Sequence, residues 1–315
     1  VLSIRFRERN KYGDWVGGPM YFIKNGLGDS WKWLGYVFSV LGMIAGFGIA
    51  NMTQTNTIAG SWLYSIQYSK PDVNEFAIRL AIGIILAILC AIVVIGGIKR
   101  IGAVCEKMVP LMAVLYIVCG LAVIFTHLGN IPSVIAAIVK GAFNPSAIGG
   151  GMVGTAMMVT LKKGVGRGLF SNEAGLGSAP MAHAGADTEG PVQQGMYGMF
   201  EVFMDTIVVC TLTALIILCG LGVDGVEYGV AASSELTAAG LASVFPEIVA
   251  RWIITISITF FAFSSTLAWS IYGSRCCEFV FGEKSILPYK IIWCLVVIIG
   301  PIMSLQLAWD ISDTL

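Results

Sequence analysis

Long apolar runs separated by short polar segments account for most of this chain. Seven of these runs contain few or no charged residues, and a helix needs roughly 20 apolar residues to cross a bilayer. The pattern therefore predicts seven membrane spans, at residues 34–58, 77–98, 108–126, 147–161, 196–221, 248–273 and 289–309.

The fourth run is shorter than the others and has a different composition. It opens on three consecutive glycines, Gly149, Gly150 and Gly151, and stops at residue 161 before a pair of lysines. Because a run of this length barely spans a bilayer as regular helix, we predict an interrupted helix at 147–161. The polar segment 164–186 that follows is rich in Gly, Ser and Ala and has no helical hydrophobic stripe.

The composition indicates an all-α polytopic membrane protein. Hydrophobic residues make up 57% of the 315 positions, charged residues make up 12%, and the mean hydropathy is +0.82. In a soluble domain roughly a quarter of the residues are charged. The formal net charge is zero, so the overall balance does not indicate a nucleic-acid partner. The eight cysteines lack CxxC or Cys/His ligand spacing, which favours packing roles.

The basic residues predict the orientation of the chain. If its start is cytoplasmic, the seven spans leave only four of the 19 Lys and Arg residues outside, at Lys70, Arg79, Lys140 and Arg251. The positive-inside rule supports that topology. We expect one transmembrane domain over residues 1–315, with a cytoplasmic loop at 1–33 and the spans at 34–309, in a plasma membrane of the bacterial inner-membrane type. Residues 1–6 look like the last turns of a helix, and we expect a fragment with further membrane helices at both ends.

The far end of the first span, GIANMTQTNTIAGS, is unusually polar. On a helical period Asn51 and Gln54 share one face, and Asn56 lies on a neighbouring face. Amide side chains are too costly to face lipid, so they are expected to point into the helix bundle. Two interpretations remain open at this point: the amides line a substrate or ion pathway, or they hydrogen-bond to neighbouring helices as packing groups.

Two later spans carry further polar candidates. Asp205 lies well inside the fifth span, where it is either a coupling carboxylate or a group held for packing. The sixth span carries Ser264, Ser265 and Thr266 one turn before Trp269. Consecutive hydroxyls offer oxygen ligands to a hard monovalent cation. Ser265 and Trp269 share a face that suits a small ligand, although a packing role for the Trp is the commoner case.

Five runs together carry a family resemblance. They are GGPMYFIKNGLG, NMTQTNTIAGS, GRGLFSNEAGLGSAPMAHA, FMDTIVVCTLTALII and FAFSSTLAW. The chain resembles the alanine or glycine:cation symporter family, the sodium-coupled alanine carriers, and the third run is highly specific to it. The resemblance extends over essentially all 315 residues and corresponds to roughly the third to ninth helices of the family.

The resemblance implies part of a five-plus-five inverted-repeat bundle of the amino acid-polyamine-organocation type. In such folds broken helices hold substrate and ion near mid-membrane, and the break at Gly149, Gly150 and Gly151 would be one of them. It further implies an alanine or glycine site with a sodium site beside it, and no other cofactor or metal. The implied substrate site is lined by Gln54, Asn51, the three glycines, Ser265 and Trp269, and the implied sodium ligands are Ser264 and Ser265.

The expected function is secondary active symport, in which sodium entry drives uptake of alanine or glycine. Related sequences often carry Thr at the positions of Ser264 and Ser265, which keeps a hydroxyl group. A passive channel or another ion-coupled carrier is the alternative. A membrane hydrolase using His183, Asp187 and Ser178 lacks a nucleophile elbow or an HExxH motif, so we do not expect an enzyme. The expected partners are a small amino acid and the lipid bilayer, and the oligomeric state is open.

Overall fold

The structure is a computed structural model that describes residues 1–143, 164–166, 168, 171–173, 175–226, 234–304 and 307. Within these residues six helices are long and apolar enough to cross a membrane, and they coincide with six of the seven predicted spans. The seventh, at 147–161, lies outside the described residues. The long helices cover Asp29–Ser69, Glu75–Ile95, Ile98–Thr126, Pro191–Leu221, Glu247–Phe281 and Glu283–Ile302.

A small folded segment precedes the first long helix. It contains α1 (Leu2–Arg5), an antiparallel ribbon of β1 (Glu8–Arg9) and β2 (Trp15–Val16), and α2 (Pro19–Leu27). The residue before α2, Gly18, has φ +125°, a region that disfavours side chains with a Cβ, and Pro at the first helical position suits the start of the helix.

The segment is held together by Glu8, whose carboxylate accepts hydrogen bonds from Lys24 Nζ at 2.9 Å and Asn25 Nδ2 at 2.8 Å. Burial alone would raise the pKa of Glu8. The two hydrogen bonds and the positive charge of Lys24 outweigh that effect, so the pKa is lowered from its ordinary value of 4.5.

The first long helix is continuous but not uniform. It starts with a 3₁₀ turn at Asp29–Trp31 and continues as α3 (Lys32–Gly46), then as a π-helix at Phe47–Met52, then as α4 (Thr53–Ser69). Its 41 residues exceed the predicted 34–58 at both ends. The π-helix adds one residue to a turn and shifts the faces of the residues that follow it.

The fifth span contains a second π-helix at Phe203–Val209, between the helices Pro191–Val202 and Cys210–Leu221. The remaining helices are numbered in chain order. They are α5 (Glu75–Ile95), α6 (Ile98–Thr126), α7 (Ile131–Phe143), α8 (Ala179–Ala184), α9 (Pro191–Val202), α10 (Cys210–Leu221), α11 (Ser234–Leu241), α12 (Glu247–Phe281) and α13 (Ile286–Ile302).

α13 ends at Ile302, whereas the last predicted span continues to residue 309; residues 305, 306 and 308–315 lie outside the described part of the chain. Met303 after this helix is extended. The carbonyl groups at this helix end are satisfied from other helices: Asn56 Nδ2 donates to Gly300 O at 2.9 Å and Met303 O at 2.7 Å, and Arg79 donates to Pro301 O at 3.3 Å. These partners replace the hydrogen bonds that a further turn would make.

The described residues form two compact units. The first comprises Val1–Ala113, Gly177–Tyr197 and Thr255–Leu315. Within it α13 packs against α5, α4 and the Phe47–Met52 π-helix. The backbones of α13 and the π-helix come close together at Gly300, where an added Cβ would lie 2.7 Å from Met52 O. The outer faces of α5 and α13 expose large apolar side chains, as a lipid-facing surface would: Ile84, Ile88, Ile92, Ile291 and Leu295.

The second unit comprises Val114–Leu176 and Gly198–Ile254. In it α10 packs against α11, and a Cβ on Gly240 would lie 2.6 Å from Ile216 O, so the two backbones are nearly in contact. Tyr116 and Thr213 hydrogen-bond through their hydroxyls at 2.6 Å. Small residues at such crossings are typical of helix pairs in membranes.

Candidate functional site

The π-helix at Phe47–Met52 is the centre of the polar region predicted in the first span. π-helices are rare and are frequently found at functional sites. Its carbonyl groups are taken by hydroxyls: Thr53 Oγ1 donates to Gly48 O at 2.9 Å, and Thr55 Oγ1 donates to Asn51 O at 2.7 Å. Gly48 O also accepts from the Thr53 backbone N–H, so the Thr53 hydroxyl gives that carbonyl a second hydrogen bond.

Asn51 lies within this π-helix and its side chain is completely buried. Its Nδ2 donates to Trp293 O on α13 at 2.9 Å, while its Oδ1 has no hydrogen-bond partner among the described residues. Trp293 Nε1 is likewise buried without a partner there. One buried acceptor, on Asn51, and one buried donor, on Trp293, therefore remain unsatisfied among the described residues, which is costly unless a further polar group reaches them.

The two other amides of the cluster differ in their surroundings. Asn56 is 2% exposed, and its Nδ2 donates hydrogen bonds to carbonyl groups at the end of α13. These bonds give Asn56 a packing role. Gln54 is half-buried and has no hydrogen-bond partner in the part of the chain that the structure describes. Of the three amides, Gln54 is thus the one with both its polar atoms available to a ligand.

Of the hydroxyl triplet on α12, Thr266 contacts the same π-helix. Thr266 Oγ1 is buried, lies 3.0 Å from Ala50 O and 2.9 Å from Ala262 O, and ties the two helices together. Ser264 Oγ donates to Phe261 O at 2.9 Å, which places two oxygen atoms of the kind that a hard cation binds side by side. Ser265 is half-buried and has no hydrogen-bond partner in the described residues.

Trp269 is 5% exposed and belongs to an aromatic cluster. Its ring meets that of Tyr272 edge-on at 5.4 Å between centroids. It also approaches the end of α3, since a Cβ on Gly46 would lie 3.6 Å from Trp269 Cε3 and 3.2 Å from Trp293 Cζ3. Phe47, the first residue of the π-helix, stacks at a tilt on Trp293 at 5.5 Å.

Two residues of α12 contact the first long helix close to Asn51. Thr266 does so at Ala50, and Trp269 does so near Gly46. Ser264 bonds within α12, to Phe261 O, and Gln54 follows Asn51 by three residues in the first long helix. Gly149, Gly150 and Gly151 lie outside the described residues.

Asp205 belongs to the other unit and lies in the second π-helix, Phe203–Val209. Ser171 Oγ donates a short hydrogen bond to its carboxylate. The residues that follow Ser171 and Asp205 also form a hydrogen bond: Asn172 Nδ2 donates to Thr206 Oγ1 at 3.1 Å. The polar segment 164–186 thus contacts the fifth span through two adjacent side chains, Ser171 and Asn172. This arrangement is compatible with either role considered for Asp205.

Sequence reasoning missed a hydroxyl network between α4 and α12. Thr255 Oγ1 donates to Ser61 O at 3.0 Å and accepts from Ser61 Oγ at 3.0 Å and Ser65 Oγ at 2.7 Å. Trp62 Nε1 donates to Thr259 Oγ1 at 2.8 Å. The available signal was the spacing of four in both Ser61/Ser65 and Thr255/Thr259, which puts each pair on one helical face. The hydroxyls of Ser61, Ser65, Thr255 and Thr259 all take part in these hydrogen bonds. We therefore assign the network a packing role.

Comparison with known proteins gives a match along the whole chain. A profile described as the sodium:alanine symporter family matches residues 1–315. A sodium/alanine symporter, AgcS of Methanococcus maripaludis, is 43% identical over 320 residues, covering 100% of this chain and 67% of the relative.

Two Bacillus subtilis proteins are similar over nearly as much of the chain. The amino-acid carrier protein AlsT is 38% identical over 95% of this chain and 60% of its own length. A probable sodium/glutamine symporter, GlnT, is 37% identical over 94% of this chain and 58% of its own length. The chain thus spans about two thirds or less of the length of these relatives.

Proposed function

Because the chain belongs to the sodium:alanine symporter family, we propose that it forms part of a secondary active carrier that couples sodium entry to the uptake of alanine or glycine. The observation that carries this proposal is the family match over residues 1–315, combined with polar groups buried in the membrane helices at the Phe47–Met52 π-helix. Polar groups at such depth typically mark a substrate or ion pathway.

The proposed substrate site lies along the first long helix and α12. Gln54 supplies an amide with no other partner among the described residues, Asn51 supplies its unsatisfied Oδ1, and Trp269 closes one wall with its indole ring. The half-buried Ser265 completes that wall. Gly149, Gly150 and Gly151 are proposed as the backbone contribution of the interrupted helix, where free N–H groups suit a carboxylate.

Sodium is proposed to bind at the hydroxyls of Ser264 and Ser265. Ser264 Oγ and Phe261 O already form a pair of oxygens 2.9 Å apart. Hard cations take several oxygen ligands, so further ligands would have to come from other helices. Asp205, bonded to Ser171, is proposed as a coupling or structural carboxylate.

The finer features of the architecture are part of the same proposal. We expect the helices to belong to a five-plus-five inverted-repeat bundle, with the start of the chain in the cytoplasm and the protein in the inner membrane. The distribution of basic residues supports this orientation, since four of 19, Lys70, Arg79, Lys140 and Arg251, would fall outside.

The test is uptake of radiolabelled alanine into proteoliposomes containing the purified protein. A sodium gradient directed inward should drive accumulation above the external concentration, and replacing sodium by potassium should abolish it. Flux that only equilibrates alanine, with or without sodium, would mean a channel. Competition by unlabelled glycine and glutamine then reports specificity, since relatives named for alanine and for glutamine both match the chain.

Site variants separate the proposed roles. Trp269→Ala and Gln54→Leu should each weaken alanine binding at least tenfold, because each removes a wall or a hydrogen bond of the site. Ser264→Ala and Ser265→Ala should raise the sodium concentration needed for half-maximal uptake. Thr57→Val is the matched control on the same helix, since among the described residues its hydroxyl bonds only to Thr53 O. Unchanged alanine affinity in Trp269→Ala would remove that residue from the site.

A further inference from the structure

A cleft of about 270 Å³ lies in the first unit at the ends of four long helices. α5 ends and α6 begins on one side of it, through Ile95 and Ile98. α12 ends and α13 begins on the other side, through Arg275 and Leu287. Helix ends of this kind lie at the level of the lipid head groups.

The cleft has an apolar half that continues onto the lipid-facing surface. Ile95 and Leu287 line it and are each 56% exposed. Along α5 the exposed apolar surface continues through Ile92, and along α13 it continues through Ile291. An acyl chain leaving the cleft would therefore run over apolar side chains without interruption, which a soluble ligand would not use.

The other half of the cleft is charged, with two groups of each sign. The cations are Arg275 and Lys290, and the anions are Asp14 and Glu283. Two of these already have partners: Glu283 accepts from the Lys11 backbone N at 2.8 Å, and Arg275 pairs with the buried Glu278 at 2.6 Å.

The remaining two groups are open to a ligand. Lys290 is half-buried and has no ion-pair partner among the described residues. Asp14 is only loosely engaged, 3.7 Å from Arg275, and its side chain is 41% exposed. A half-buried ammonium group with no carboxylate in direct contact among the described residues favours a bound anion. The carboxylate of Asp14 lies in the same cleft. A ligand that carries one negative and one positive group would therefore neutralise both of these charged side chains.

We propose that this cleft binds a phospholipid whose head group carries a phosphate and a primary ammonium, as in phosphatidylethanolamine. The phosphate lies at Lys290 and Arg275, the ammonium lies at Asp14, and an acyl chain follows Ile95 or Leu287. Phosphatidylglycerol offers no cation to Asp14. The quaternary ammonium of phosphatidylcholine cannot donate a hydrogen bond to it. Basic pockets between membrane helices are known to select lipid head groups.

Native mass spectrometry of the purified protein tests the proposal. The detergent-solubilised protein is supplied with equal amounts of phosphatidylethanolamine, phosphatidylglycerol and phosphatidylcholine, and the lipid retained is measured. Wild-type protein should retain the ethanolamine lipid about fivefold more than either other lipid, and Lys290→Gln should lose about fivefold of that retention, as expected for one Lys at a membrane surface. Lys290→Arg should keep it.

The controls distinguish charge, fold and ligand source. Lys284→Gln removes an exposed Lys that does not line the cleft and should bind as wild type. Asp14→Asn should lose the preference for the ethanolamine over the glycerol head group. All variants should elute as wild type on size exclusion.

Three results would overturn the proposal: equal retention of all three lipids, full retention by Lys290→Gln, or displacement of the lipid by equimolar glycerophosphoethanolamine, which would identify a soluble zwitterion as the ligand. Since no step requires transport, the result is independent of whether the protein carries alanine.

Discussion

The hydroxyl network between α4 and α12 allows one energetic prediction to be worked through in detail. The perturbation is Thr255→Val, which keeps the shape of the side chain and removes the hydroxyl. Thr255 is fully buried, and its hydroxyl takes part in three hydrogen bonds, to Ser61 O, Ser61 Oγ and Ser65 Oγ. The substitution removes these three bonds between α4 and α12 and leaves the bond from Trp62 Nε1 to Thr259 Oγ1 in place.

The magnitude follows from the number of bonds. Interhelical polar contacts in membrane proteins contribute about 0.6 kcal/mol on average and at most about 1.7 kcal/mol. Three bonds therefore correspond to about 2 kcal/mol. The hydroxyls of Ser61 and Ser65 can turn to carbonyls one turn earlier in α4, which recovers part of that energy. We expect a net loss of about 1–2 kcal/mol in the free energy of unfolding.

The assay is reversible unfolding in mixed micelles at increasing SDS, followed by tryptophan fluorescence. A double-mutant cycle with Ser65→Ala isolates one bond, and the coupling energy should be about 0.6 kcal/mol or more. The control Thr57→Val removes a hydroxyl that donates within α4, to Thr53 O at 2.8 Å, and should cost less than about 0.5 kcal/mol.

Two results would refute this reasoning. If Thr255→Val is no more destabilising than Thr57→Val, the network does not stabilise the contact between the helices. If the effects of Thr255→Val and Ser65→Ala simply add, their 2.7 Å hydrogen bond makes no energetic contribution.

Two further predictions concern packing and pH. Gly300→Ala should destabilise the protein by about 2 kcal/mol or more, because the new Cβ would lie 2.7 Å from Met52 O and 2.8 Å from Met52 Cα, backbone atoms that cannot move aside cheaply. The control is Gly60→Ala, whose new Cβ has nothing within 4 Å; it should be neutral or slightly stabilising in the same unfolding assay. An equal effect of both substitutions would contradict the close approach of the Phe47–Met52 π-helix and α13. The lowered pKa of Glu8 means that its contribution to stability is present above its ordinary pKa of 4.5 and is lost as the pH falls through the lower folded-state pKa. The difference in Tm between wild type and Glu8→Gln should therefore be small at neutral pH, since both partners are about a third exposed, and should vanish in acid; a difference that grows on acidification would contradict the assigned hydrogen bonds.

Much of the architecture was predictable because hydrophobic runs are local. The lengths of the apolar runs identified six spans that the structure describes as long helices, and the polar cluster at 48–61 and the 264–266 triplet were recognised from composition alone. The GRGLFSNEAGLGSAPMAHA run sufficed to indicate the family, which the whole-chain match then showed. A side chain that must avoid lipid can be identified without knowing its partner.

What only the tertiary structure decided depends on partners far away in sequence. Asn51 and Asn56 look alike in the chain, but Asn56 caps the end of α13 with its amide whereas Asn51 keeps an unsatisfied oxygen beside Trp293. The π-helix at Phe47–Met52 shifts the faces counted on a regular period, so the shared face assigned to Asn51 and Gln54 could not be read from spacing. The roles of these residues follow from hydrogen bonds that span more than 240 positions, which no local pattern contains.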